Sequence, residues 1–399
     1  MPGQAMNARP PDDGAAMERR SQLADAARID QAAQRFKALS LAEQMALARR
    51  LCETRQQDYT RMIGSAVAMH AGFKRRCAED GHEYIHRQAC VVFVVRGKWS
   101  ATGQAPDEAQ RVPAHLLTTW VNPVGEAVLV AVPTDVQAQE RFGNIEAQAA
   151  SGIEVFSQIG KDFGVATCLV KCGALHYVLA PLHVMSPGAA APAGATEMRP
   201  APSATEATQA TQPALVSTAH GGRLADSAEA SFDVQWAKVN NLPRLRSMLA
   251  PQAWSNDMPW VDGPAALHQL IEEGAMLFIL LPDNHPKSMQ IRGPAEVRLS
   301  HDESSFDINY LVNGIKRHLP HLAMEFQLEA GRSTMAGDSG SPVVAVLIDG
   351  SLSLVGMHIA GNPDFGTSYV MPAWRLMSAS FHVAMSASMP GANFRLVTV

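Results

Sequence analysis

From about Phe163 onward the chain is a succession of short apolar runs cut by Gly, Asn, Asp and Pro, a spacing too tight for ordinary helices. Val165–Val170 and Tyr177–Ala180 read as a hairpin turning at Gly173. Ser231–Val239, Val343–Ile348 and Leu354–Gly361 read as further strands. Such a texture predicts an all-β sandwich or barrel. One stretch interrupts it. Residues 186–214 are almost entirely Ala, Pro, Thr, Ser, Gly, Glu and Gln, with Met198 the one large apolar side chain. That composition buries too little surface to offset its ordering entropy, so a flexible insertion is expected.

The first part of the chain has a different texture. Residues 1–16 are rich in Pro, Gly and Ala without periodicity and are expected to be disordered. Residues 17–80 form a region with a helical pattern running from Met17 to about Met69. Ser40 followed by Glu43 makes a capping box, and Leu41, Met45, Ala48 and Leu51 then recur at helical spacing. Cys90–Val95 and Ala127–Val132 are buried-strand runs, which predicts a small α/β accessory module over residues 81–150. The β-rich domain then occupies residues 151–399.

At 399 residues two or three domains are expected, with enough apolar material (47%) to hold a core without staples. The net charge of -5 argues against nucleic acid as a partner and against a polybasic membrane patch. The longest apolar runs, such as Met276–Leu281, are far too short to cross a bilayer. Five cysteines are an odd count, and the opening residues lack a signal-peptide pattern, so reduced thiols and a cytoplasmic setting are expected. Cys168 and Cys172 have no nearby Cys or His pair to complete a zinc site and read as buried free thiols. No metal and no organic cofactor is implied.

The strongest chemical signal is Ala336-Gly337-Asp338-Ser339-Gly340-Ser341-Pro342, just before an apolar strand. A serine hydroxyl is a weak nucleophile until a turn presents it and a base takes its proton. Flanking glycines permit that turn, which also directs the N–H groups of Gly337 and Ser339 at one point, as an oxyanion hole requires. Taken alone, the same residues also suit a plain Gly/Ser hairpin turn. Of the 14 histidines, His183 follows a buried strand in Ala180-Pro181-Leu182-His183-Val184, where a loop start holds a side chain rigidly. His176 competes but lies inside the hairpin. An acid to orient the imidazole is offered by Asp233, at the head of an alternating strand whose Phe232 faces the other way. Asp226, Asp257 and Asp262 are rivals without that strand context. Asp338 calls for a buried cationic neighbour.

The chain order His183, Asp233, Ser339, with Leu182-His183-Val184, Phe232-Asp233-Val234 and Gly337-Asp338-Ser339-Gly340-Ser341-Pro342, resembles the chymotrypsin-like serine peptidases over about residues 160–378. The resemblance implies a mainly β chain whose peptidase part is a double antiparallel β-barrel of six strands each, with His183 and Asp233 from the first barrel and Ser339 from the second. The sequence departs from the family at Gln235, where a small or apolar residue is usual, and in carrying residues 186–214 between His183 and Asp233. A second resemblance covers the part before this. The runs Cys90–Trp99, Arg111-Val112-Pro113 and Val132-Pro133-Thr134-Asp135-Val136 look like the module that precedes the protease domain in the plant narrow-leaf proteins and their bacterial relatives. Those are cytoplasmic or nuclear trypsin-like proteases that assemble into oligomers, which implies a homo-oligomer or a regulatory protein partner.

Specificity has its own signal. In the strand from Leu354 to Gly361, alternation puts Val355, Met357 and Ile359 on one face. His358 falls on the other, between the small residues Gly356 and Ala360. Thr334, five residues before Ser339, is positioned in sequence to line the same pocket. The pair is similar to the viral 3C-like proteases, whose Gly-x-His-x-x-Gly strand, here Gly356 to Gly361, recognises Gln or Glu. A core histidine satisfied by backbone is the plainer alternative for His358. The expectation is therefore a serine endopeptidase working through a Ser-His-Asp acyl-enzyme and cutting a peptide substrate after Glu or Gln. A catalytically silent peptide-binding or assembly module on the same scaffold is the rival, and an esterase would share the chemistry on another fold.

Overall fold

The computed structural model describes residues 13–77, 83–97, 111–142, 145–147, 150–151, 155–157, 162–185, 195–198, 214–224, 231–243, 258–281, 293–310, 315–385, 387, 389 and 394–397. Two helices lead: α1 (Asp13–Lys37) and α2 (Leu41–Met62). Helix therefore starts at Asp13, inside the stretch expected to be disordered, where the helix formers Ala15, Ala16, Met17 and Glu18 outweigh the preceding Pro and Gly. Ser40 caps α2 as expected: its Oγ accepts the Glu43 N–H, and the Glu43 carboxylate accepts the Ser40 N–H at 3.0 Å. Leu41, Met45, Ala48 and Leu51 form the buried face. No described helix is long and apolar enough to cross a membrane.

The helical pattern expected to reach Met69 stops short of it. Gly64 and Ser65 break the helix, and β1 (Ala66–Cys77) runs where a helix was expected, because it is claimed by neighbours on both sides. It pairs with β2 (Glu83–Val95), and β3 (His115–Val121) and β4 (Ala127–Ala138) extend the sheet, with β4 parallel to β2. Five short strands follow: β5 (Glu146–Ala147), β6 (Ala150–Ser151), β7 (Val155–Ser157), β8 (Asp162–Phe163) and β9 (Cys168–Cys172). Beyond them lie β10 (Leu175–Ala180), the helical turn α3 (Leu182–Met185), β11 (Ala195–Met198), β12 (Ala214–Arg223) and β13 (Phe232–Val239). After α4 (Pro264–Glu272) come β14 (Met276–Leu280), β15 (Pro294–Tyr310), β16 (Ile315–Leu328), β17 (Pro342–Val346), β18 (Leu352–Asn362) and β19 (Thr367–Pro372). The short helices α5 (Ala373–Leu376) and α6 (Ala379–Ala384) and the strand β20 (Phe394–Val397) end the described chain.

The protein is mainly β, and two large sheets carry it. The first orders its strands β20-β9-β10-β13-β12-β11-β7. Ala195–Met198 belongs to it, so part of the expected flexible insertion is a paired strand: polar Thr and Glu do not prevent backbone pairing to β12 and β7. Residues 186–194 and 199–213 of that stretch lie outside the described residues. Cys168 and Cys172 are half-buried rather than buried, and Cys172 adjoins the exposed hairpin turn at Gly173.

In the second sheet the pairing runs β14-β17-β18-β19-β16-β15, and β15 pairs in turn with β14. From β15 the same sheet continues through β1 into the N-terminal strands, with Gly72 opposite His301. Glycine is required there: a Cβ on Gly72 would lie 2.5 Å from the Ser300 carbonyl oxygen. The expected accessory module is thus continuous with the C-terminal sheet. Their core is also shared, with Phe36, Met45, Phe73 and Phe93 in one cluster with Leu277, Phe326 and Val343.

A buried ionic cluster fixes that junction. Arg75 of β1 donates to Glu325 at 2.8 Å, to Ser300 Oγ at 2.6 Å and to Gln327 at 2.7 Å. Glu325 also faces His301 Nδ1 at 3.2 Å and accepts from the Tyr369 hydroxyl at 3.0 Å. Burial pushes the Glu325 carboxyl up, but the adjoining His301 and Arg75 outweigh it and hold the group well below the usual carboxylate range. A second cluster, containing Leu179, Phe232, Trp236, Phe306, Met357 and Tyr369, joins the two large sheets, and the candidate site lies along this seam.

Candidate active site

Register brings the acid and the base together. In the antiparallel pair β10–β13, Ala180 lies opposite Gln235, so the start of β13 runs alongside the residues that follow β10. Pro181 then turns the chain: its carbonyl accepts the N–H groups of Val184 and Met185, and His183 sits within that turn. Asp233 Oδ2 is 2.6 Å from His183 Nδ1, and Asp233 Oδ1 accepts the His183 backbone N–H at 3.0 Å. The strand alternation works as expected, with Phe232 in the seam cluster on the other side.

Ser339 arrives from the other sheet. Its turn is built from Gly337 (φ 106) and Gly340 (φ 98), both in the left-handed region that favours glycine. The Asp338 carboxylate accepts the Met335 N–H at 2.8 Å and its N–H donates to the Met335 carbonyl, so this acid closes the turn. Two bonds fasten the turn to the first sheet: Val165 N–H to Ser339 O at 2.7 Å and Thr167 Oγ1 to Gly340 O at 2.8 Å. Ser339 Oγ ends 2.9 Å from His183 Nε2 and 3.2 Å from the Ile359 carbonyl. A continuous hydrogen-bonded chain, Ser339–His183–Asp233, therefore crosses the seam. The side chains are almost wholly covered: Ser339 and Asp233 are 0% exposed and His183 2%.

Two contacts at the site had no sequence signal. The Tyr310 hydroxyl donates to Asp233 Oδ2 at 2.9 Å, and its ring meets the His183 ring edge-on at 5.2 Å. Tyr310 reaches there because the outer half of the β15–β16 hairpin leans onto the first sheet, where the His318 carbonyl accepts the Ser231 N–H. Burial and the Asp233 charge push the Tyr310 phenol well above its ordinary range, so it stays a donor. The Ile359 carbonyl is the other, and a backbone acceptor leaves no trace in composition. Of the rival acids, Asp262 is exposed, and Asp226 and Asp257 lie outside the described residues. Gln235, the departure from the family pattern, is buried and donates to the His220 carbonyl of β12 at 2.6 Å.

Both expected pocket residues are buried, His358 and Thr334 each 0% exposed. His358 Nδ1 lies 2.8 Å from Ser368 Oγ, while Thr334 Oγ1 has no hydrogen-bond partner among the described residues. The face expected to unite Val355, Met357 and Ile359 does not. Val344 and Val343 pair with Leu354 and Gly356, so Val355 is a bulge residue and falls into the N-terminal cluster while Met357 and Ile359 fall into the seam. Gly356 is packed against Met371, and Gly361 pairs with Ser368.

No family model matches the chain, and no curated protein matches it. Among solved structures it is similar to Thermobifida fusca protease A (12% identity, TM-score 0.30, covering 64% of this chain and 98% of that one). It is also similar to the alpha-lytic protease homolog N4 (14%, TM-score 0.30, 59% and 96%) and to the NS6 protease from murine norovirus 1 (15%, TM-score 0.25, 51% and 88%).

Proposed function

We propose that the chain is a serine endopeptidase in which Ser339, His183 and Asp233 act as one unit, on two sheets that correspond to the halves of a chymotrypsin-like double barrel. The observation that carries this is the chain of contacts at 2.9 and 2.6 Å linking a serine on one sheet to a histidine and a buried acid on the other. His183 Nε2 takes the Ser339 proton as Oγ attacks a peptide carbonyl. The N–H groups of Gly337 and Ser339 receive the oxyanion. Asp233 holds the proton on Nδ1, leaving Nε2 as the base, and stabilises the imidazolium that forms. His183 then protonates the departing amine, and water resolves the acyl-enzyme.

The same reading places Glu or Gln on the acyl side of the cut bond. His358, whose Nδ1 lies 2.8 Å from Ser368 Oγ, is the residue assigned to meet that side chain. Thr334, with a buried hydroxyl lacking a partner among the described residues, supplies a second polar group, and Gly356 and Gly361 frame the His358 strand.

A small fluorophosphonate tests the enzyme directly. Stoichiometric labelling at Ser339, lost in Ser339→Ala, is the expected result; no labelling of the folded protein leaves only a peptide-binding scaffold. For specificity, otherwise identical peptides with Glu, Gln, Arg, Phe or Ala before the cut are compared. Equal or better cleavage after Arg or Phe removes His358 from that role.

A further inference from the structure

The pairing of β17 to β18 ends at Pro342 opposite Met357. Next to it His358 donates its N–H to the Ser341 carbonyl and accepts the Gly340 N–H, and beyond His358 that edge of β18 is taken by β5, with Ala147 opposite Ala360 and Glu146 opposite Gly361, antiparallel. The opposite edge there is held by β19. The chain therefore runs along β18 from Gly361 toward Ile359, whose carbonyl lies 3.2 Å from Ser339 Oγ. A substrate whose carbonyl is to reach Ser339 has to approach by this route, adding its backbone as a strand to the same edge. Its residue opposite Ile359 would carry the bond to be cut.

The segment is anchored on its upstream side. Ile145 is 2% exposed within the seam cluster, and its carbonyl accepts the Asn309 N–H at 2.8 Å. Asn362 Nδ2 donates to the Arg141 carbonyl, and the Arg141 guanidinium is held by Glu83 at 2.8 Å and Gln327 at 3.0 Å. Downstream, Ala150–Ser151 pairs with Asp162–Phe163, two residues before the Val165 N–H that donates to the Ser339 carbonyl.

Resting on the function proposed above, we propose that Ile145–Ala147 is an internal substrate strand: it occupies the acyl-side groove in the substrate's direction, and cleavage of another peptide requires its displacement. In sequence the residue after Ala147 is Gln148, the type that the specificity reading accepts.

The test uses the full chain and the peptide Ile-Glu-Ala-Gln as an aminocoumarin amide. Glu146→Pro with Ala147→Pro removes both N–H donors of β5 and should raise kcat/KM by about tenfold or more, through KM, as a competent fraction is freed. Hydrogen exchange of the wild-type chain supplies a second readout that needs no variant. A peptidyl phosphonate bearing Ile-Glu-Ala-Gln should speed exchange at the amides of 145–147, while a small fluorophosphonate that reaches only Ser339 should not. A cut of the wild-type chain between Gln148 and Ala149 that is absent from Ser339→Ala and independent of concentration also supports the proposal. Unchanged kcat/KM in the folded double variant, with no exchange response and no cut, overturns it while fluorophosphonate labelling leaves the peptidase reading standing. Failure of that labelling removes the peptidase reading itself.

Discussion

Asp233 grips His183 twice, Oδ2 at 2.6 Å from the ring Nδ1 and Oδ1 at 3.0 Å from the backbone nitrogen. The second bond fixes the main chain that carries the ring, so in the proposed function the acid would set both the tautomer and the position of the base. Asp233→Asn should keep the fold but present an amide N–H or a weak acceptor to Nδ1. The favoured tautomer would be lost, and kcat should fall by about 10⁴-fold. Tyr310→Phe, which leaves both grips in place, should cost only about tenfold in kcat with KM unchanged. Steady-state kinetics on the two variants checks the ranking; equal losses would make Tyr310 as important as the grip.

Thr334→Val tests whether a buried hydroxyl without a partner among the described residues serves the substrate. Removing it should leave the melting temperature unchanged or raised, because an unsatisfied buried hydroxyl contributes nothing to stability. The preference for Gln over Ala that the proposed function assigns should meanwhile drop by about tenfold, one hydrogen bond's worth. A stable variant with full preference would move the specificity contact elsewhere.

Gly340→Ala should be among the most damaging single changes. Its Cβ would lie 1.7 Å from the Val165 carbonyl oxygen, at a φ of 98°. Either the turn opens or the bonds from Val165 and Thr167 break, and a loss of at least about 4 kcal/mol is expected. Denaturant unfolding measures it, and fluorophosphonate labelling reports whether Ser339 still meets His183.

The Arg75–Glu325 junction should make the fold acid-sensitive. The Glu325 carboxyl is held below its range in the folded chain, whereas in the unfolded chain it titrates near about 4.3. Between those values the unfolded chain binds more protons, so stability rises with pH there. The contribution is complete above about 4.3 and is lost as pH falls through the folded-state value. Glu325→Gln should cost roughly 3–5 kcal/mol at neutral pH by leaving Arg75 and His301 facing an uncharged group. Its melting temperature should also fall less steeply than the wild type below about pH 4.5, which a thermal-unfolding series in pH would read.

Much of the site was legible because its parts are local. Ser40 and Glu43 announce a helix start within one turn, and Gly173 announces the β9–β10 hairpin. The glycines around Ser339 announce a turn that few other residues can adopt. Asp233 could be chosen because strand alternation separates it from Phe232. Alternation failed at Val355, where a bulge shifts the faces by one residue, and the helical pattern failed at Ala66, where partners on both sides claim a strand.

What the sequence by itself determined is the set of local conformations and the chemical types: a presented serine, a histidine after a strand, an acid at a strand head. Only the tertiary structure decided which of these meet. Register across β10 and β13 brings Asp233 to His183, and the lean of the β15–β16 hairpin brings Tyr310 to Asp233. The bare backbone of Gly72 joins the N-terminal strands to the C-terminal sheet, and the edge of β18 receives Glu146 and Ala147. These pairings link residues far apart in the chain, and their energies depend on burial and shape that no short stretch encodes. A local pattern can therefore name the partners without stating that they touch.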